Sequence, residues 1–381
     1  MISRKFPNIN ASPSLLGFGC MRFPTLREDT REIQEDKAIE MIHHAYHNGI
    51  NYFDTAYNYH AELSELFLAK ALKDFPRESY YLADKLPIWM LKEKGEAATY
   101  FDTQLQRCNT TYFDFYLCHS MTKQSYEKCI EFGIFDFLEE KKQQGVIKHL
   151  GFSFHDAPEV LETILNAHKW DFVQIQLNYL DWTMQNAKKQ YELIEAYGVP
   201  CIVMEPVRGG TLQTLSESAV DVFKQAAPGK TPASWALRYA ASYSNVMVVL
   251  SGMSALEHVQ DNLKTFADFK PISAQEQGII QQALEEYRKN PAIPCTACRY
   301  CMDCPAGVDI SKMFELYNQY LLDEKGMLYT TSYGLLPEKS QAASCVACNK
   351  CTEHCPQHIP IPDILKEIDA CVKKLEEEQK V

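Results

Sequence analysis

Eight short strand-like runs, each followed by sequence of helical period, and two tight groups of cysteines confined to residues 295–355 predict an α/β protein. The expected architecture is a closed (β/α)8 TIM barrel with a small helical, cysteine-rich module at its C-terminal end. The length of 381 residues suits this pairing, because such a barrel takes about 250 residues. A boundary is expected near 287–294, dividing a barrel over 1–287 from a module over 288–381.

The elements follow in order. LLGFGC (15–20) leads into a helix near 36–48, with Ala38, Ile39, Ile42, Ala45 and Tyr46 on one face and Gly49 as its stop. INYFDTA (50–56) precedes a helix over 61–74. SYYLADKL (79–86), FDFYLCHS (113–120), IKHLGFSF (147–154), DFVQIQLN (171–178), PCIVMEP (200–206) and NVMVVLSG (245–252) complete the strands. Parallel strands need crossover helices, and a succession of right-handed crossovers closes the sheet. An open doubly wound sheet is the alternative. It wants a G-x-G-x-x-G turn after the first strand, and GFGCMR at 17–22 lacks the third glycine. A helix over 273–289 is expected to pack on the barrel and to end at Pro291 and Pro294. Beyond it come a helix from about 311 to 324, a loop to 344, and a final helix rich in Lys and Glu.

With 38 Lys+Arg against 50 Asp+Glu and no basic block, the chain repels phosphate backbones and anionic lipid, so nucleic acid and membrane surfaces are excluded as partners. No apolar run reaches the ~18 residues of a membrane span, and MISRKFPNINASPS lacks the apolar centre of a signal peptide. A cytoplasmic, reducing location is expected, where clustered cysteines bind metal rather than pair as disulfides. Of the 14 cysteines, Cys20, Cys108, Cys118, Cys129, Cys201 and Cys371 are scattered. The remainder form the two groups.

CTACRYCMDCP spaces Cys295, Cys298, Cys301 and Cys304 three apart; CVACNKCTEHCP sets Cys345, Cys348, Cys351 and Cys355 in a C-x2-C-x2-C-x3-C-P run. Thiolates at every third residue wrap three corners of a cubane. In the ferredoxin pattern the fourth cysteine serves the other cluster. Two [4Fe-4S] clusters are therefore expected, one on Cys295, Cys298, Cys301 and Cys355, the other on Cys345, Cys348, Cys351 and Cys304. Zinc is the competing metal, but its sites pair two C-x2-C hooks. The first group has two residues rather than three before Cys304, which leaves open that Cys304 closes its own cluster. The 40 residues between Cys304 and Cys345 make the module resemble the helical ferredoxin domains in the iron–sulfur subunits of succinate dehydrogenase and fumarate reductase.

In a barrel of this type the chemistry sits at the C-terminal ends of the strands. Asp54, Lys85, His119, Ser153, Gln174 and Glu205 lie at or near those ends. INYFDTAYNYHAELSE resembles the D-T-A-x-x-Y signature of the aldo-keto reductase superfamily, and residues 1–285 follow that family in order: RKFPNINASPSLLGFG resembles its barrel-bottom hairpin and first strand, LADKL its lysine strand, DFYLCHS its histidine strand, and GFSF stands where the family has Gly-x-Ser-Asn. With its cysteine motifs the chain resembles the subgroup that carries a ferredoxin-type domain. The resemblance implies a catalytic tetrad of Asp54, Tyr59, Lys85 and His119.

Physical chemistry asks for these residue types. Hydride delivered to a carbonyl carbon creates an alkoxide, so a proton donor must stand within ~3 Å of the oxygen. Tyr59 is that donor. A phenol of pKa ~10 needs help at neutral pH; the ammonium of Lys85 favours phenolate, and Asp54 holds the lysine charged and oriented. His119 is placed to hydrogen-bond the carbonyl oxygen.

The resemblance also implies nicotinamide contacts from Ser153 and Gln174, although Phe154 replaces the family's Asn. Met204 stands where many members stack a tyrosine on the nicotinamide, and MEPVRGG places Glu205 and Arg208 beside that pocket. GMSALEHVQDN resembles the family's adenosine-phosphate segment through Gly252, Ser254, His258, Asp261 and Asn262, with a helix N-terminus at Ser254 suited to phosphate. His258 stands where strong NADP binders use Arg, so NADPH is expected ahead of NADH only as a lean. Trp89, His155, Tyr179 and Trp182 are candidates for the substrate pocket.

The expected function is NAD(P)H-linked hydride transfer to a small carbonyl substrate. The alternative is an electron-transfer protein whose barrel binds a ligand or flavin without hydride chemistry. A nicotinamide moves two electrons and each cluster one, so the clusters are open to three readings: structural staples, a relay from a soluble ferredoxin or a flavoprotein, or sensors of oxygen or iron.

Overall fold

The computed structural model describes residues 1–27, 31–289, 292–302 and 304–379. Eight strands, β1 (Leu16–Gly19), β2 (Tyr52–Asp54), β3 (Tyr81–Leu86), β4 (Phe113–Met121), β5 (Ile147–Phe154), β6 (Phe172–Gln176), β7 (Cys201–Met204) and β8 (Val246–Gly252), pair in sequence order into a closed parallel barrel. Closure is made by β8 returning to β1, with Gly19 opposite Gly252. The strands read as almost continuous apolar runs because helices cover the outer face and side chains fill the inner one. Tyr52, Phe115, Phe172, Met247 and Val248 form an inner cluster, joined by Ile9 from the N-terminal segment. The expected hairpin there is a single antiparallel bridge between Ser3 and Ser14.

So many large residues inside one barrel require small ones beside them. Gly151 of β5 is paired with Phe172 of β6, and a Cβ on it would lie 2.4 Å from the Phe172 carbonyl oxygen.

Helices begin and end where local chemistry allows. The first, Glu35–His47, carries Glu35 and Asp36 in its first turn and His44 and His47 in its last, matching its dipole, and Gly49 leaves it at φ 90°. The helix expected over 61–74 runs only Ser64–Leu72. His60, Ala61 and Glu62 take φ of 51°, 52° and 71°, a left-handed run that cannot continue as a right-handed helix. After β4 two helices, Lys123–Phe132 and Ile134–Gln143, are divided by Gly133 at φ 69°.

The chain divides into two compact units. One comprises Met1–Val207 with Lys230–Ala274, the other Arg208–Gly229 with Gln275–Val381. The second therefore holds the helix Ala274–Arg288 almost entirely, together with the segment that follows β7. Pro291, expected to help end that helix, lies outside the described residues. The second unit also contains the helices Ile310–Asp323 and Ile361–Glu378, packed through Met313, Phe314, Ile361, Leu365 and Ile368. The loop expected up to 344 contains a further helix, Gly326–Gly334, because Tyr329 and Tyr333 come one turn apart and are both buried on that core. No described helix is long and apolar enough to cross a membrane.

Gly151→Ala is expected to destabilise the barrel by at least about 2 kcal/mol through overpacking, read as a lower denaturant midpoint at unchanged m-value.

Candidate functional site

The barrel brings its strand-end polar residues together around one ammonium. Lys85, near the end of β3, has no solvent exposure. Its Nζ donates to Asp54 Oδ1 at 2.5 Å, to the Thr55 carbonyl oxygen at 2.6 Å and to Tyr59 Oη at 3.3 Å. A lysine ammonium has three donors. All are committed, so the charge is held at one point beside the phenol. Removing one partner from such a buried pair costs about 3–5 kcal/mol. Burial raises the pKa of Asp54 and the attraction of Lys85 opposes the rise.

His119, near the end of β4, completes the group, its ring centroid 6.0 Å from that of Tyr59. Burial, then the charge of Lys85, then His155 hold His119 well below the usual imidazole range, so it is neutral at pH 7. Trp89 meets the same ring edge-on at 4.9 Å. Ser120 takes φ 57° and its N–H donates to Ser153 Oγ at 2.8 Å, which ties the histidine loop to β5.

The turn carrying Tyr59 is fixed by contacts that sequence reasoning did not single out. His60 Nε2 accepts from the Phe23 N–H at 3.1 Å, and Ser64 Oγ donates to the Cys20 carbonyl at 3.0 Å. Burial lowers the pKa of His60 to about 4. Behind β3 lies a second unforeseen group. Asp84 is hydrogen-bonded to Glu65, with the pKa of each raised by burial first, and Gln104 Nε2 donates both to Glu65 Oε1 and to the Lys85 carbonyl, at 3.0 Å each. The alternation of β3 is the signal for it: Asp84 precedes Lys85 and points to the opposite face.

Beside the tetrad, Ser153 and Gln174 are register partners on β5 and β6. Gln174 Nε2 donates to the Met204 sulfur at 3.5 Å, while Gln174 Oε1 is buried without a hydrogen-bond partner. Glu205, at φ 52°, pairs with Arg22 at 3.0 Å. Gly252 lies against the Arg22 side chain, where a Cβ would come within 3.0 Å of Cδ. After β8 the helix runs Leu256–Ala267, beginning two residues later than the expected start at Ser254, whose N–H points at His258 Nδ1 at 3.4 Å. Asn262 Nδ2 donates to Ser251 Oγ at 2.9 Å, and Asp261 accepts from Thr231 Oγ1 at 2.6 Å. Trp182, a pocket candidate from sequence, stacks on Tyr243 at 4.6 Å, and Tyr179 meets Tyr239 edge-on at 5.9 Å. Arg208 is fully buried in the second unit and donates to Gln357.

The second unit holds the cysteines. Cys295, Cys298, Cys301 and Cys355 line one narrow cavity, walled on its apolar side by Phe314 and Ile361. Burial raises the Cys301 thiol, and so do the neighbouring thiols of Cys298, Cys295 and Cys355. Among the described residues no three Cys, His, Asp or Glu groups close on a point the size of one ion; the four thiols ring a space. In the other group Cys351 is neighboured by Cys345. Both loops share a backbone pattern invisible in their side chains: Ala297 and Arg299 take φ of 52° and 65°, and Ala347 and Asn349, at the matching places, take 50° and 61°. Left-handed residues in such loops are a feature of anion-binding nests. The Ala297 N–H already lies 3.4 Å from the Cys295 sulfur.

Comparison with known proteins gives matches over both parts of the chain. A family model described as the aldo/keto reductase family matches residues 15–285, and one described as a 4Fe-4S dicluster domain matches residues 294–359. A probable aldo-keto reductase 1 of Glycine max is 29% identical over 206 residues, 52% of this chain and only 57% of that protein. The L-galactose dehydrogenase of Arabidopsis thaliana is 24% identical over 314 residues, 76% of this chain and 96% of that protein. Among solved structures, the holo form of the aldo-keto reductase AKR11C1 from Bacillus halodurans superposes with a TM-score of 0.60 at 27% identity, covering 74% of this chain and 96% of that one.

His60 gives the site a pH signature. Its pKa is lower in the folded than in the unfolded chain, so the unfolded state binds the extra proton first, and the stability present above pH ~6.5 is lost as pH falls towards about 4. The loss is expected to reach up to about 3 kcal/mol. Urea titrations at pH 7.5 and 5 should show it in the parent protein and a smaller drop in His60→Asn.

Proposed function

The chain belongs to the aldo/keto reductase family, and from that premise we propose that it is an NAD(P)H-dependent oxidoreductase reducing a small aldehyde or ketone at Tyr59. The observation that carries this reading is the buried Lys85 ammonium, shared between Asp54 and the Tyr59 phenol. The residues around it suit a nicotinamide. The unpartnered Gln174 Oε1 is an acceptor for a carboxamide N–H, and Ser153, on the neighbouring strand, is a second polar group at the same level. Met204 is placed as an apolar, polarisable contact for the ring, and Gly252, Ser254, His258, Asp261 and Asn262, around the start of the helix after β8, are assigned to the adenosine phosphate. NADPH is the form we favour over NADH.

The nicotinamide supplies the hydride when bound. The protein supplies the rest. Tyr59 holds a proton at Oη and hands it to the substrate oxygen as negative charge builds there. Lys85, 3.3 Å away, stabilises the phenolate left behind, and its fixed tripod means that no reorganisation is needed as the charge moves. Asp54 and the Thr55 carbonyl keep the ammonium from following the proton. Neutral His119 hydrogen-bonds the same oxygen without putting a second cation beside Lys85. Trp89, edge-on to His119, is assigned to the substrate pocket with His155.

We assign two [4Fe-4S] clusters to an iron–sulfur domain over 288–381, following a barrel domain over 1–287. One takes Cys295, Cys298, Cys301 and Cys355, a reading supported by their shared cavity; the other takes Cys345, Cys348, Cys351 and Cys304, supported by the repeated left-handed pattern of the two loops. Three thiols spaced three apart in one loop suit a cluster better than zinc, whose sites pair two C-x2-C hooks. Such thiolates persist in a reducing compartment, and we place the protein in the cytoplasm. Exposed Cys348 and Val346 suit single-electron exchange with a soluble ferredoxin or flavoprotein.

Tyr59→Phe is expected to lower kcat for NADPH-dependent aldehyde or ketone reduction about 10²–10⁴-fold, while NADPH still quenches intrinsic fluorescence with similar affinity. Turnover unchanged in that variant would sink the assignment. Iron and sulfide analysis of anaerobically purified protein tests the clusters: Cys355→Ala should lose the same cluster as Cys298→Ala, and Cys304→Ala the one lost in Cys348→Ala.

A further inference from the structure

Within the second unit, one cation is built into the wall behind the first group of cysteines. Gln357, 7% exposed, lines the cavity ringed by Cys295, Cys298, Cys301 and Cys355, and its Oε1 accepts from Nη2 of Arg208 at 3.1 Å. Arg208 has no solvent exposure and sits at φ 53°. A guanidinium out of water and a left-handed backbone at a side-chain-bearing residue are both unfavourable, and such features persist where the surroundings over-determine them. The surroundings here do. Gly209, at φ 64°, lies so close to the Thr296 carbonyl that a Cβ would come within 2.1 Å of its oxygen, and Thr296, 2% exposed, lines the same cavity. The pair Arg208–Gly209 is thus clamped by Thr296, inside the first cysteine motif, and by Gln357, just after the second. Arg299 lines the cavity itself and is paired with Asp309 at 3.5 Å, whereas Arg208 stands behind Gln357.

We propose that Arg208 is the outer-shell cation of the cluster on Cys295, Cys298, Cys301 and Cys355, and that it raises the reduction potential of that cluster. The inference rests on the cluster assignment above. Reduction adds one electron, and hence one negative charge, to a cluster already anionic through its thiolates. No bond to the protein forms or breaks. A fixed positive charge nearby stabilises the reduced state more than the oxidised one, and surrounding charge and hydrogen bonds are what set such potentials. Arg208 therefore positions and tunes; it carries no electron itself.

The test is a dithionite titration of the anaerobically purified full-length protein followed by electron paramagnetic resonance. In Arg208→Gln and in Arg208→Met, the second suiting an apolar surrounding if the first folds poorly, one cluster is expected to shift to more negative potential while the other stays in place. Arg208→Lys keeps the charge and should lie near the parent value. Unchanged potentials in the neutral variants, an equal shift in Arg208→Lys, or loss of the cluster in all three would overturn the role of Arg208. Parent protein devoid of iron and sulfide would instead overturn the cluster assignment beneath it.

Discussion

The site depends on one buried charge. The Lys85 ammonium has no water to solvate it, and an uncompensated ion in such a place costs several kcal/mol. The barrel answers with one carboxylate, one carbonyl and one phenol, brought by the last residue of β2 and the segment that follows it. That demand explains much of what surrounds the lysine. Asp54 has to stay in a place where burial favours its neutral form, and the ammonium is what opposes this. His119 is kept neutral first by its burial and then because a second cation beside Lys85 would be repelled.

Holding a phenol against that charge requires an unusual turn. Tyr59 is followed by three left-handed residues, none of them glycine, each at a small cost relative to ordinary backbone. The cost is offset by the His60 hydrogen bond to the Phe23 N–H and by the Ser64 hydroxyl reaching the Cys20 carbonyl. Behind the lysine, Gln104 ties the β3 backbone to Glu65, and Asp84 shares that buried layer. The Lys85 ammonium, within hydrogen-bond distance of Tyr59, is therefore backed by a polar layer on the outer side of β3.

The cysteine-rich unit groups its thiols, four of them lining one cavity. Its two loops share paired left-handed residues, and behind its first cavity a buried guanidinium donates to Gln357. In both units a charge is buried only where oriented dipoles or an opposite charge receive it.

Residue order alone determined the barrel, the two cysteine groups and the placement of Asp54, Lys85 and His119 at strand ends. Strand periodicity, ligand spacing and the D-T-A-x-x-Y signature are local patterns, written in neighbouring residues. The start of the helix at Ser64, the helix at Gly326–Gly334, the stacking of Trp182 on Tyr243 and the burial of Arg208 against Gln357 were decided only by tertiary structure. Each turns on a partner distant in the chain or on a backbone angle that no side chain announces. A histidine, an alanine and a glutamate after Tyr59 do not look like a left-handed turn, and an arginine beside two glycines does not reveal which of its possible neighbours will accept its hydrogen bond. Long-range packing sets those outcomes, because the free energy of a buried polar group depends on what the rest of the fold brings to meet it.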